Sequence, residues 1–452
     1  MTRELVGKVP LRRHGLPASV IPRTRLVIAV VLIAAILIVA GLAFIWFSLT
    51  RPGAPPGPNP AVTLSPVQTG LNWPVALAFA SDGRVFYAEK NTGAIRIIEN
   101  GALLPTPFFT LPNTSGPIAS ERGLLGLALD PGFPASPWVY AYQTYNDAAN
   151  ASTYNRIVRI RASGDTGISF SVILRMPNLS SATNHNGGVI AFSPDGKLWA
   201  VVGENADPNL SQDHMSLLGK VLRMNSDGSA AAGNPFYGSL SWENRVYTYG
   251  HRNMFGLAWH PVTGRAYVTE NGPNCNDEVN LLTAGSNYGW GPSETCASPP
   301  LPPLNTNRDG PSPVLPIRYW GIPTIAPTNA AFYTGSLLPQ SRNDLILGAY
   351  NDNRLRDLQL TTDGTGVVSE TVLLTAPAAI LDVEMGRDGF LWLTTPTTIY
   401  RLVAAATTTS VGAVFTIAGL SGIAIPSGET ADARQASSAP VASYSPVPSR
   451  KP

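Results

Sequence analysis

One short pattern returns six times along this chain: a run of small and apolar residues, a turn built from Pro, Asp or Gly, then a second apolar run. It reads Val75-Ala76-Leu77-Ala78-Phe79 before Asp82-Gly83, Leu124 to Leu129 before Asp130-Pro131, and Val189-Ile190-Ala191-Phe192 before Pro194-Asp195-Gly196. It continues as Gly256 to Trp259 before Pro261 and Gly264, a degraded copy at Ala330-Ala331-Phe332, and Val383-Glu384-Met385 before Asp388-Gly389. The copies lie roughly fifty to seventy residues apart, which predicts radial repetition of four-stranded sheets. Each sheet must bury its faces against its neighbours, so the ring has to close. The expected fold class is therefore all-β, a six-bladed β-propeller. A two-sheet sandwich is the other reading, but a sandwich needs no sixfold repeat. The runs Val85-Phe86-Tyr87, Val139-Tyr140-Ala141, Leu198-Trp199-Ala200, Ala266-Tyr267-Val268, Leu345-Ile346-Leu347 and Leu391-Trp392-Leu393 read as the third strand of each unit.

A single N-terminal transmembrane helix is expected ahead of the propeller. Leu26 to Leu49 carries no charge, and as a helix it spans about 36 Å against a hydrocarbon core of roughly 30 Å. Arg3, Lys8, Arg12, Arg13, Arg23 and Arg25 precede it, so residues 1–25 should face the cytoplasm and the rest should lie outside, at the cell membrane. A cleaved signal peptide is the rival; the length of the run, the lack of a clear small-x-small cleavage site and its ending in Trp46 and Phe47 weigh against it. Residues 50–60 form a proline-rich linker, 61–403 the propeller, and 404–452 a low-complexity tail expected to be mostly disordered. Within that tail Val411 to Ile425 is too short and glycine-rich for a second span, and an extra strand or loose segment is expected. Charged residues make up 13% of the chain and the net charge is +2, which gives no reason to expect a nucleic-acid partner.

Polar residues gather in the stretch Tyr249 to Trp290. Leu257-Ala258-Trp259 and Ala266-Tyr267-Val268 read as two strands joined at Pro261 to Gly264. His251, Arg252 and Asn253 then fall on the loop before the first strand, with Gly272-Pro273 and Asp277-Glu278 on the loop after the second. Two loops thus offer polar groups to one end of one sheet, as sites on rigid β scaffolds do. Cys275 and Cys296 are the only cysteines. In an exported domain such a pair is expected to form a disulfide, with two free thiols as the alternative; closing that loop contributes roughly 3 kcal/mol in the chain-entropy model.

Read together and in order, several motifs resemble one family, the glucose/sorbosone dehydrogenases. They are Glu121-Arg122-Gly123-Leu124-Leu125-Gly126-Leu127-Ala128, Asn184-His185-Asn186-Gly187-Gly188, Gly219-Lys220-Val221-Leu222-Arg223, Tyr249-Gly250-His251-Arg252-Asn253, Asn271-Gly272-Pro273 with Asp277-Glu278, and Asn287-Tyr288-Gly289-Trp290. The resemblance covers about Gly70 to Val403. It implies a six-bladed propeller that oxidises aldose sugars with pyrroloquinoline quinone and calcium (Ca2+), the electron acceptor being left open. His185 matches the catalytic base, which takes the proton of the sugar's C1 hydroxyl; imidazole suits this because its ordinary pKa lies near working pH. The residue before it is the neutral Asn184, so no carboxylate orients it locally, and an isolated histidine is more often structural or surface than catalytic.

Arg252 and Asn253 match residues that polarise the quinone, where a fixed guanidinium stabilises developing charge. The plainer reading of Arg252 is a tie between loops. Glu121 is placed at the cofactor as well. Gly272 and Pro273 match carbonyl ligands of the cofactor's calcium, and Asp277, Glu278 and Tyr288 match a second, structural calcium loop. The family's cofactor-gripping cations are replaced here by Val189, Asn351, Ala379 and Leu381. The three at Asn351, Ala379 and Leu381 alone, as lost charge-assisted bonds, amount to about 4–9 kcal/mol, or three to six decades of affinity; Arg354, Arg356 or Arg387 would have to compensate. A second reading follows: a non-catalytic propeller that binds or scaffolds. A calcium-dependent lactonase on a similar propeller is a third.

Overall fold

The computed structural model describes residues 57–117, 119–293, 296 and 309–406. Six antiparallel sheets follow one another along the chain. Blade 1 contains Pro74–Phe79, Val85–Glu89 and Ala94–Glu99; two short strands, Ala102–Leu103 and Phe109–Thr110, share the outer side of the third. Blade 2 runs Leu124–Leu129, Trp138–Asp147, Ser152–Ser163 and Thr166–Asn178. Blade 3 is Ile190–Phe192, Leu198–Val202, Lys220–Met224 and Val246–Tyr249, and blade 4 is Met254–Trp259, Ala266–Glu270, Asp277–Leu281 and Arg318–Trp320. Blade 5 is Pro327–Phe332, Leu345–Ala349, Arg354–Leu360 and Val367–Thr375. Blade 6 joins the two ends of the domain: Asp382–Met385, Leu391–Thr395 and Thr398–Ala404 are completed by the N-terminal strand Val62–Thr69, in register from Val62 opposite Ala404 to Thr69 opposite Thr398. Ring closure thus rests on backbone hydrogen bonds between strands more than three hundred positions apart in the numbering.

The six apolar runs read as third strands are the second strands of their blades. Burial explains why they stand out. Val85–Glu89, Leu198–Val202, Ala266–Glu270, Leu345–Ala349 and Leu391–Thr395 are buried at every residue, since both faces of the sheet are covered by adjoining blades. A strand covered on both faces reads as a continuous apolar run rather than an alternation. The outer strand Val367–Thr375, by contrast, has no buried residue. Asp277 and Glu278 do not lie on a loop: they open the third strand of blade 4. The Cys275–Cys296 disulfide is formed, with Cα atoms 5.9 Å apart.

The proposed membrane helix at residues 26–49 and the segment 411–425 lie outside the described residues. Among the described residues no helix is long and apolar enough to cross a membrane.

The first strand of every blade lines the ring's axis. Val75, Leu125, Val189, Phe255, Thr328 and Leu381, at or just before the starts of these six strands, all border one cavity of about 510 Å³. Their other ends, including Phe79, Leu129, Phe192 and Met385, border a second cavity of about 530 Å³. Between them Asn329 bridges the blades: its Nδ2 donates to Asp382 Oδ1 at 2.7 Å and to Glu384 Oε1 at 3.0 Å, and its Oδ1 accepts from Leu257 N at 3.2 Å. Burial pushes the Asp382 carboxyl up to about 6.

Candidate active site

Of the residues singled out in the sequence, Glu121 lines the first cavity directly, with Asn184, Gly187 and Asn271; hydrogen bonds tie His185, Arg252 and Asn253 to these lining residues. His185 lies on the loop entering blade 3, in the left-handed region at φ 57°. That conformation costs a non-glycine residue of order 1 kcal/mol or more, so something must hold it. The His185 N–H donates to Glu121 Oε2 at 2.6 Å, and the His185 carbonyl accepts from Asn205 N at 3.0 Å. Gly203 is required beneath it, because a Cβ there would stand 2.3 Å from the His185 carbonyl oxygen.

The histidine has the carboxylate that its sequence neighbour did not supply. Glu204 Oε1 lies 2.7 Å from His185 Nδ1. Glu204 follows the second strand of blade 3 and is 1% exposed; His185 is 7% exposed. With Nδ1 tied to a carboxylate, Nε2 is the nitrogen left to accept a proton. The neighbours Asn184 and Gly187 line the cavity.

Arg252 enters from blade 4. Its Nη1 donates to the carbonyls of Asn271 and Gly272, both at 2.8 Å, and its guanidinium carbon stands 5.1 Å from the centre of the Trp290 ring. Arg252 therefore does tie loops together, as the plainer reading held, and its Nε keeps no partner. Burial lowers its pKa from the ordinary value, while Glu204, then Glu121, Glu270 and Asp277, act to raise it. Its backbone joins a carboxylate to a main chain: Arg252 N donates to Glu270 Oε1 at 2.5 Å, and Arg252 O accepts from the Glu204 backbone N–H at 3.1 Å. Asn253 closes the frame, with Nδ2 donating to Glu121 Oε2 at 3.0 Å and Oδ1 accepting from Gly187 N at 3.2 Å.

Blades 3 and 4 use the same device. His251 Nδ1 lies 2.8 Å from Glu270 Oε2, again across nineteen positions. This copy is sealed: His251 is 0% exposed, its Nε2 lies 2.9 Å from Thr248 Oγ1, and its ring stacks on Tyr288 at 4.5 Å. The blade 4 pair supports the Arg252 backbone, whereas the blade 3 pair lies behind Glu121, Asn184 and Gly187, which line the cavity. This repeat is the sequence signal for Glu204. His185 and His251 are each followed nineteen residues later by Glu-Asn, at Glu204-Asn205 and Glu270-Asn271.

The calcium-loop residues have separate partners. Asp277 accepts from the backbone N–H groups of Gly272 at 3.0 Å and of Ile325 and Ala326 at 2.7 Å each; burial nonetheless raises its carboxyl pKa. Glu278 accepts from Asn280 Nδ2 at 2.9 Å and, one residue along a strand, points to the opposite face from Asp277. The Tyr288 hydroxyl donates to Leu281 O at 2.5 Å and accepts from Thr283 N at 2.9 Å. Among the described residues no three His, Cys, Asp or Glu side chains form a metal-binding group.

Among the described residues, buried polar atoms around the site without a protein partner include Glu204 Oε2, Arg252 Nε and Asn271 Oδ1. Each such atom costs about 1–3 kcal/mol, so their grouping beside a cavity of cofactor size fits a polar ligand. The cations proposed to compensate at blades 5 and 6 are engaged elsewhere. Arg356 pairs with Asp352 and Glu370, Arg354 lies 3.9 Å from Asp352, and Arg387 borders the opposite cavity and donates to Phe79 O.

The family model for glucose/sorbosone dehydrogenase matches residues 71–403. The chain belongs to this family. It is 29% identical to the aldose sugar dehydrogenase YliI of Escherichia coli K12 over 348 residues, covering 74% of this chain and 90% of that protein. Among solved structures, a putative glucose dehydrogenase of Thermus thermophilus is 35% identical with a TM-score of 0.66, over 76% of this chain and all of that one. The PQQ-bound aldose sugar dehydrogenase of Streptomyces coelicolor is 30% identical with a TM-score of 0.62, over 77% of this chain and 99% of that one. These relatives support oxidoreductase chemistry on a sugar for the glucose/sorbosone propeller described above.

Proposed function

We propose that this chain oxidises aldoses at C1 with pyrroloquinoline quinone and calcium. The observation that carries this reading is the buried His185–Glu204 pair, held in strained backbone between Asn184 and Gly187, which line the cavity, with unpartnered polar atoms beside it. In a binding-only propeller nothing requires a histidine kept at φ 57° with one nitrogen fixed and the other free, so the catalytic reading is the stronger. His185 Nε2 takes the proton of the C1 hydroxyl, and Glu204 stabilises the imidazolium that results. Arg252 presents positive charge where negative charge develops. The quinone, when bound, supplies the acceptor for the hydride leaving C1, so the sugar becomes its lactone. Glu121, Arg252 and Asn253 would border the cofactor, and the Gly272 and Pro273 carbonyls would hold its calcium. The test is titration of the purified chain with quinone and calcium, followed by visible absorbance and aldose-dependent dye reduction. Saturable binding with dye reduction is expected; binding with no reduction by any aldose would favour the scaffold.

The propeller is placed outside the cytoplasm, anchored by residues 26–49. The charge asymmetry around that run supports this, as does a disulfide in the domain. Protease added to intact cells should remove the propeller and leave a short N-terminal fragment. A soluble protein beginning after residue 49 would contradict the anchor.

A further inference from the structure

Lys90 is a cation at the cavity that none of the sequence motifs contains. It follows the second strand of blade 1, lines the cavity, and is 5% exposed. Its ammonium has three donors but only two hydrogen bonds: to Asn91 Oδ1 at 3.0 Å and to Pro117 O at a long 3.3 Å. The Trp73 ring lies 5.2 Å away. No ion pair within 4.0 Å involves Lys90 among the described residues. The adjacent Glu89 is engaged by Thr92 and Arg96. Glu121 attracts Lys90 through space, but its Oε2 already accepts from His185 N and Asn253 Nδ2. Nor is the position loose. A Cβ on Gly123 would stand 2.4 Å from the Lys90 carbonyl oxygen and 2.7 Å from its Cγ, so the loop entering blade 2 clamps the lysine from above. A lysine confined at its carbonyl and Cγ, lining the cavity and with one ammonium donor unused, suits an anion.

We propose that Lys90 holds a carboxylate of the anionic cofactor, so that this chain grips the acidic edge from blade 1 instead of from blades 5 and 6. The proposal rests on the quinone reading above and goes beyond it by naming the residue and blade. It accounts for Asn351, Ala379 and Leu381 carrying no charge: the anion's counter-charge has a different origin. Burial pushes the Lys90 pKa down to about 8, with Glu121 acting the other way. A bound carboxylate would push it back up.

The test is quinone titration of the full chain with calcium present, read by visible absorbance and tryptophan fluorescence and not by turnover. Lys90→Met keeps the chain length and removes the charge; it is expected to weaken binding by about 10- to 150-fold. Lys90→Arg should retain binding within about tenfold of wild type, since it keeps the charge. A readout that needs no variant covers the case where Lys90→Met does not fold. In the wild type, affinity should be level below about pH 8 and fall above it as the free ammonium loses its proton. Lys90→Met binding within twofold of wild type, or wild-type affinity that stays level through that range, overturns the grip alone. A wild-type chain that binds no quinone overturns the cofactor reading, and the grip with it.

Discussion

Replacing His185 by alanine is expected to lower aldose oxidation by about a hundred- to ten-thousandfold, the range for loss of a general base. Quinone affinity should change little. The imidazole is fixed through Nδ1 by Glu204, and its backbone is held separately by Glu121 and Asn205, so the variant removes the proton acceptor and leaves the loop's anchors in place. Quinone binding measured alongside turnover separates the two effects. A variant that keeps more than about a tenth of the activity would show that another group takes the proton.

The second large effect is expected at Arg252. Changing it to methionine should cost about a hundred- to a thousandfold in turnover, the scale for removing one preorganised charge from a reacting centre. Two further losses accompany it: the Asn271 and Gly272 carbonyls lose their shared donor, and the Trp290 face loses its cation. Calcium affinity should therefore change in this variant and not in His185→Ala. Arg252→Lys should recover part of the rate only, because an ammonium keeps the charge but not the planar stacked group. Turnover within tenfold of wild type in Arg252→Met would assign the arginine to loop tying alone.

Much of the fold can be read from the sequence because of one physical fact. In a ring of sheets the second strand of each blade is covered on both faces, and the turn before it must reverse tightly. Both demands leave marks: unbroken apolar runs such as Leu198–Val202, and Pro, Asp and Gly in the turns ahead of them. The same marks do not tell which strand of the sheet is which, so the pattern alone sets these runs one strand too far out. The site is less legible, because its contacts are distant in sequence. Glu204 faces His185 across nineteen positions, and only the second copy at His251 and Glu270 makes that spacing visible. Lys90 escapes a sequence reading for a different reason. Its neighbours Asn91 and Thr92 carry no motif, and only the closing of the ring brings blade 1 to the same cavity as blades 3 and 4. The adjacent acids Asp277 and Glu278 read as a loop but open a strand, where adjacency sends side chains to opposite faces.

The most direct test of the central claim, oxidation at C1 with His185 as the base, compares an aldose carrying hydrogen at C1 with the same sugar carrying deuterium there. The quinone- and calcium-loaded chain is mixed with each in a single turnover, and lactone formation is followed. A severalfold slower rate with deuterium is expected, together with a pH profile of the step that collapses in His185→Ala. Equal rates for the two sugars with no lactone formed, under conditions where the quinone is shown to be bound, would contradict it.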